Sequence, residues 1–249
     1  MIVRDFNVLY TKKYDMNLPK TIKPCPIIDA SVEIRFIPKI NQNAVFGLIY
    51  QVLQDEFATV ESLPILQLPE IVRSSDPNFK FKPLYKTSNN DYVVQIGPNV
   101  LTISSFPNYV GWDKFSKKIF EILHKVETID IIDRIERLGL RYINFFEDNI
   151  FDNIHLKVRL GSQVILNKNT VVRTEIEHGD FNSTLQIANN GINNNRLGSI
   201  IDIDAFTSME LDKFFINKEI IINKGHAYEK ELFFSLITDD FLKTLNPIY

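Results

Sequence analysis

A chain of 249 residues, 45% of them hydrophobic, can bury one large core or two smaller ones. Its 28 Lys and Arg stand against 31 Asp and Glu, a net charge of −3 that excludes global attraction to nucleic acid or an anionic membrane surface. One cysteine excludes an internal disulfide and fits a reducing compartment. No apolar run reaches the roughly 20 residues that span a bilayer, so a cytoplasmic protein that stays off the membrane is expected.

The pattern opens with a mixed arm over 1–25 that shows charge every few residues, lacks the apolar core of a secretory signal, and closes in Lys23-Pro24-Cys25-Pro26. Cys25, held between prolines and far in sequence from any histidine, reads as inert. A strand is expected over 30–37, where Val32, Ile34 and Phe36 alternate with Glu33 and Arg35. One face is then apolar and the other charged. Val45, Leu48, Ile49, Val52, Leu53 and Phe57 recur at helical spacing behind Asn41 or Asn43, which predicts a helix within 41–60.

After a proline-containing loop at 63–78, the runs 79–87, 91–99 and 100–106 have strand character. Asn89-Asn90-Asp91 and Gly97-Pro98-Asn99 supply turns between them, so they read as antiparallel hairpins. Phe115, Ile119, Ile122, Leu123 and Val126 predict a helix over 112–129. A second series then begins: a strand at 137–146, a short helix at 147–154, strands near 156–160, 170–178, 181–188 and 198–206, and a final helix over 218–244. The fold class is α+β: a curved antiparallel sheet covered by helices on one face. The order of elements points to a tandem β-α-β-β-β-α duplication, with halves at 26–134 and 135–249 forming one compact unit.

Pro26-Ile27-Ile28-Asp29-Ala30-Ser31-Val32-Glu33-Ile34-Arg35-Phe36, the Trp112-x-x-Phe115 helix, Arg137-Leu138-Gly139-Leu140-Arg141-Tyr142-Ile143-Asn144 and the helix at 226–242 form a set of blocks. Together they resemble a sporadically distributed family of uncharacterised bacterial proteins, from about Pro24 to the C-terminus. Asp29 stands where that family more often has glutamate. The resemblance implies no activity, cofactor or catalytic residue, and its patchy distribution implies a mobile-element or defence setting.

The charged strand faces are the candidate binding surface: Glu33, Arg35, Arg141, Glu175, Glu177, Asp202 and Asp204, which antiparallel pairing can bring into cross-strand ion pairs. Arg35 and Arg141, on the strands that open the two halves, are each expected to pair with a carboxylate. Alternating acids and bases also suit a triphosphate-tunnel phosphohydrolase, whose barrel holds a divalent metal on carboxylates and phosphates on cations. The Glu-x-Glu-x-Lys opening of such enzymes is missing here. The four histidines lack metal-site spacing, and no phosphate loop, dinucleotide fingerprint or nucleophile elbow occurs. His226 is expected to reach Asp204 as a polar pair.

Lys80, Lys82, Lys86, Lys114, Lys117 and Lys118, interleaved with Phe79, Phe81 and Tyr85, offer a weaker case for single-stranded nucleic acid. The Asn- and Gly-rich stretches 188–198 and 161–170 read as hairpin tips suited to recognition. The sequence thus favours a non-catalytic module that recognises a protein partner, without cofactor or metal. It leaves homo-oligomerisation open.

Overall fold

The alternation of apolar and polar residues along each strand builds a single nine-stranded antiparallel sheet with helices packed on its apolar face. The structure, a computed structural model, describes residues 18–164 and 169–249. The elements are β1 (Ile27–Pro38), α1 (Gln42–Leu53), β2 (Thr59–Ser62), α2 (Glu70–Ser75), β3 (Tyr85–Ser88), β4 (Tyr92–Ile96), β5 (Val100–Ser105) and α3 (Trp112–Thr128). They continue with β6 (Ile132–Phe146), β7 (Arg159–Leu160), β8 (Gln163–Val164), β9 (Val171–His178), β10 (Phe181–Asn193), β11 (Arg196–Thr207), α4 (Phe214–Leu236) and α5 (Asp239–Thr244). The sheet order is β2-β3-β4-β5-β1-β6-β11-β10-β9, with β7 and β8 in a separate two-stranded hairpin.

Within each series the first strand lies beside the last: β1 next to β5, with β4 and β3 beyond, and β6 next to β11, with β10 and β9 beyond. The two series meet at the sheet centre in the antiparallel β1–β6 pair. The two halves thus share a strand order. The halves differ in their helices, because α1 follows β1 whereas a 3-10 turn at Ile150–Asp152 stands where a helix was expected after β6.

The core lies on the helix side. Ala30, Val32, Ile34 and Phe36 of β1 are buried with Val45, Ile49 and Leu53 of α1 and Phe115, Ile119 and Ile122 of α3. A second cluster joins Leu185, Ile187, Ile201 and Ile203 to Leu232 and Phe233 of α4. α4 approaches the sheet closely through Gly225, where a β-carbon would stand 2.5 Å from Leu140 Cδ1 and 2.9 Å from Phe181 Cε1.

Several boundaries differ from expectation, each for a local reason. Residues 79–84 are turn and irregular backbone, and of the expected 79–87 strand only Tyr85–Thr87 fall in the observed strand, Tyr85–Ser88. The helix after β1 stops at Leu53, and the chain soon becomes the β2 edge strand, as suits the β-branched Thr59 and Val60. The single C-terminal helix is two, because Ile237 bridges Ile154 and the Thr238 side chain caps α5 by accepting from the Phe241 amide at 3.3 Å. The arm expected over 1–25 is described from Leu18 onward, where Thr21 bridges Ile248. Its earlier part lies outside the described residues, as does 165–168 in the expected 161–170 tip.

Candidate functional site

Because β1, β6 and β11 bury their even-numbered or odd-numbered sets against the helices, the alternate residues stand on the face that no long helix covers. Across that face the register sets Ser31 opposite Arg141 and Arg141 opposite Asp204, with Glu33 opposite Gly139 in the adjacent row. Five of the expected residues, Glu33, Arg35, Arg141, Asp202 and Asp204, therefore come together. Glu175 and Glu177 fall instead on the exposed edge strand β9 and make no ion pair among the described residues.

The centre of the face is a chain of ion pairs. Arg35 Nε donates to Glu33 Oε1 at 2.7 Å, and Arg141 grips Asp202 in bidentate fashion at 2.8 and 2.6 Å. Arg35 and Arg141 thus each have the carboxylate partner expected of them. Arg137, absent from the expected set, is the link. It donates to the same Glu33 oxygen at 3.2 Å and to Asp204 Oδ2 at 2.7 Å, with its guanidinium 4.5 Å from the Phe206 ring centroid.

Gly139 makes this span feasible. A β-carbon there would stand 2.5 Å from Arg137 Nη1 and 3.1 Å from Asp204 Oδ1, so the guanidinium occupies the gap left by the missing side chain. The spacing Arg137-x-Gly139-x-Arg141 places all three on one strand face, a signal that was present in the alternation. Burial pushes the Asp204 carboxyl above the usual carboxylate range, with Arg137 pulling back down. Asp29 is also raised by burial and drawn back by Arg141.

Residues 77–83 border this surface and close one side of a groove of about 400 Å³. Phe81 lies there under Arg35, 4.7 Å from guanidinium carbon to ring centroid, so it faces the groove and not the core. A smaller recess of about 200 Å³ continues across β11 and β10 to Arg173. Lys82 and Arg173, both exposed and both bordering these recesses, make no ion pair among the described residues.

Three expectations are corrected. His226 does not reach Asp204: it lies on the helix side, where its Nδ1 is 3.1 Å from the Tyr142 hydroxyl, whereas Asp204 belongs to the opposite face. The nine-stranded sheet has two edges, β2 and β9, so its alternating charges line an open face and no tunnel. The basic and aromatic cluster is dispersed, since Lys86 pairs with Glu61, Lys118 pairs with Glu56 and Glu121, and Lys114 and Lys117 lie on α3 across the sheet from Lys82.

Among the described residues no three His, Cys, Asp or Glu side chains form a metal-ligand group. No helix of the described residues is long and apolar enough to cross a membrane. Cys25 is exposed, and burial of its surroundings raises its thiol above the ordinary value. A scan against protein-family models gives no match for the chain, and no curated protein matches it.

Proposed function

We propose that the protein is a non-catalytic binding module whose open sheet face recognises a carboxylate-bearing segment of a protein partner. The observation that carries this reading is the prearranged groove. Arg35, Arg137 and Arg141 are held in fixed geometry by their own acids, while Lys82 and Arg173 border the surface with their charges uncommitted. A surface ordered before binding loses little side-chain entropy when a partner arrives. Cations in the two recesses outnumber Asp29, Glu33, Asp202 and Asp204 by one, and burial shifts Asp29 and Asp204 toward their neutral forms. Both features favour an acidic partner.

The β10–β11 hairpin adds a second contact region. Asn194 and Asn195 take positive φ at its turn, and the cross-strand pair Ile192 and Leu197 is 70% and 68% exposed. A mobile-element or defence setting belongs to the same proposal.

The test is affinity capture from the native host with the wild type, the Lys82→Glu/Arg173→Glu variant and a Lys114→Glu/Lys117→Glu control. Among the described residues neither Lys82 nor Arg173 makes an ion pair, so the variant should fold normally. A specific partner should be retained by the wild type and control and lost from the open-face variant. Equal retention by all three, or no partner in any, overturns the proposal.

A further inference from the structure

Behind the sheet, on the side opposite the charged groove, α4, β6, the loop before α3 and the segment 20–27 enclose a pocket of about 320 Å³. Its walls are aromatic. Trp112 stacks on His226 with ring centroids 3.8 Å apart and donates from its indole nitrogen to Asn223 Oδ1 at 3.1 Å. Tyr109 stands edge-on to Tyr142, with centroids 5.8 Å apart, and the Tyr142 hydroxyl meets His226 Nδ1. These contacts lock the rings in place without any ligand.

Glu229 lines the same pocket. It lies on the buried stripe of α4 with Ile222, Gly225, Leu232 and Phe233, and its residue is only 5% exposed. Among the described residues it makes no hydrogen bond or ion pair. Its carboxyl oxygens are not sealed in the core but open to the pocket, with only the Lys230 charge acting on them, so a ligand group entering the pocket can meet them in place of solvent. Among the described residues the pocket's other ionic groups are lysines: Lys20 and Lys23, exposed at the mouth, and the half-buried Lys230.

We infer that this pocket binds a small aromatic acid, with the ring between Trp112 and the tyrosines, its anionic group toward the lysines at the mouth, and a hydrogen-bonding substituent on Glu229. The volume suits a molecule of one or two rings, at the small end of the range of about 300 to 1,000 Å³ typical of ligand sites. An amine is disfavoured, because Lys20, Lys23 and Lys230 would repel it and no second carboxylate lines the pocket among the described residues. Burial holds Glu229 up at about 8, so at neutral pH it presents a proton donor and acceptor and adds no charge against an anion. The groups facing it are the neutral His226 and Lys230 of its own helix, Tyr142 of β6, Tyr109 before α3, and Cys25, Lys20 and Lys23 of the N-terminal segment. The inference is independent of the groove on the other face.

Trp112 is the chain's one tryptophan, so its fluorescence reports this pocket directly. The full chain is titrated with 4-hydroxyphenylacetate, phenylacetate and tyramine, with thermal unfolding as a second readout. 4-Hydroxyphenylacetate should give a saturable change and a raised melting temperature, phenylacetate should bind about tenfold more weakly for want of one hydrogen bond, roughly 1.4 kcal/mol, and tyramine should not bind. Glu229→Leu should remove the difference between the two acids, while Lys230→Ala should weaken both alike. Affinity for the hydroxylated acid should fall as pH rises past about 8. No saturable response to 4-hydroxyphenylacetate, or tyramine binding as tightly, overturns the inference.

Discussion

Arg137 shows how one side chain can order a surface. It bridges Glu33 from β1 and Asp204 from β11 across the glycine that leaves it room, so its loss would leave two carboxylates facing each other at partly buried positions. Arg137→Met should cost about 1–3 kcal/mol in chemical denaturation near neutral pH. The deficit should shrink on acidification, because Asp204 without its guanidinium takes up a proton more readily. A deficit that stays constant with pH would deny Arg137 its electrostatic role. Gly139→Val should mimic this loss by displacing the guanidinium. The charged residues of this face were legible from alternation alone, since Glu33, Arg35, Arg141, Asp202 and Asp204 needed only a two-residue period to be assigned to one side. Their linkage was not, because it depends on which strands are neighbours, and Arg137 gains its meaning only when β11 lies beside β6.

α4 carries the least expected chemistry. The stripe Ile222, Gly225, Glu229, Leu232 and Phe233 follows helical spacing, so Glu229 could have been marked as a buried acid, yet its surroundings depend on Tyr109 and Trp112, distant in sequence. Two opposed titrations follow. Burial lowers His226 to about 3, so the unfolded chain binds more protons between about pH 3 and 6.5 and stability falls as pH drops through that window. Burial raises Glu229 from 4.5 to about 8, so the native chain holds the extra proton and stability falls as pH rises through that window. Between about pH 4.5 and 6.5 these two slopes cancel. Above 6.5 the Glu229 slope is unopposed, and its full span is at most roughly 5 kcal/mol. Urea midpoints at pH 7 and 8.5, both above the His226 window, should therefore separate clearly for the wild type and much less for Glu229→Gln. An equal separation in both would show that Glu229 does not titrate in that range. Element boundaries were less legible than element types: the break at Ile237–Thr238 depends on a bridge to Ile154, which no local pattern announces.

At the scale of the whole molecule, the antiparallel sheet divides two kinds of chemistry. Its helix-covered face holds the core and an aromatic pocket with a buried acid, and its open face holds an ordered lattice of charges between the 77–83 segment and Arg173. The α+β class and one-sided helical cover followed from the periodicities, because residues alternating along strands and recurring every three or four along helices leave few other ways to bury apolar surface. The central claim is that the open face is where a partner sits. Its most direct measurement is lysine acylation of the partner complex, isolated by capture from the native host, compared with the free protein. Lys80 and Lys82 should be protected in the complex while Lys114 and Lys117 on α3 react as before. Protection of Lys114 and Lys117 with unchanged reactivity at Lys80 and Lys82 would contradict the account.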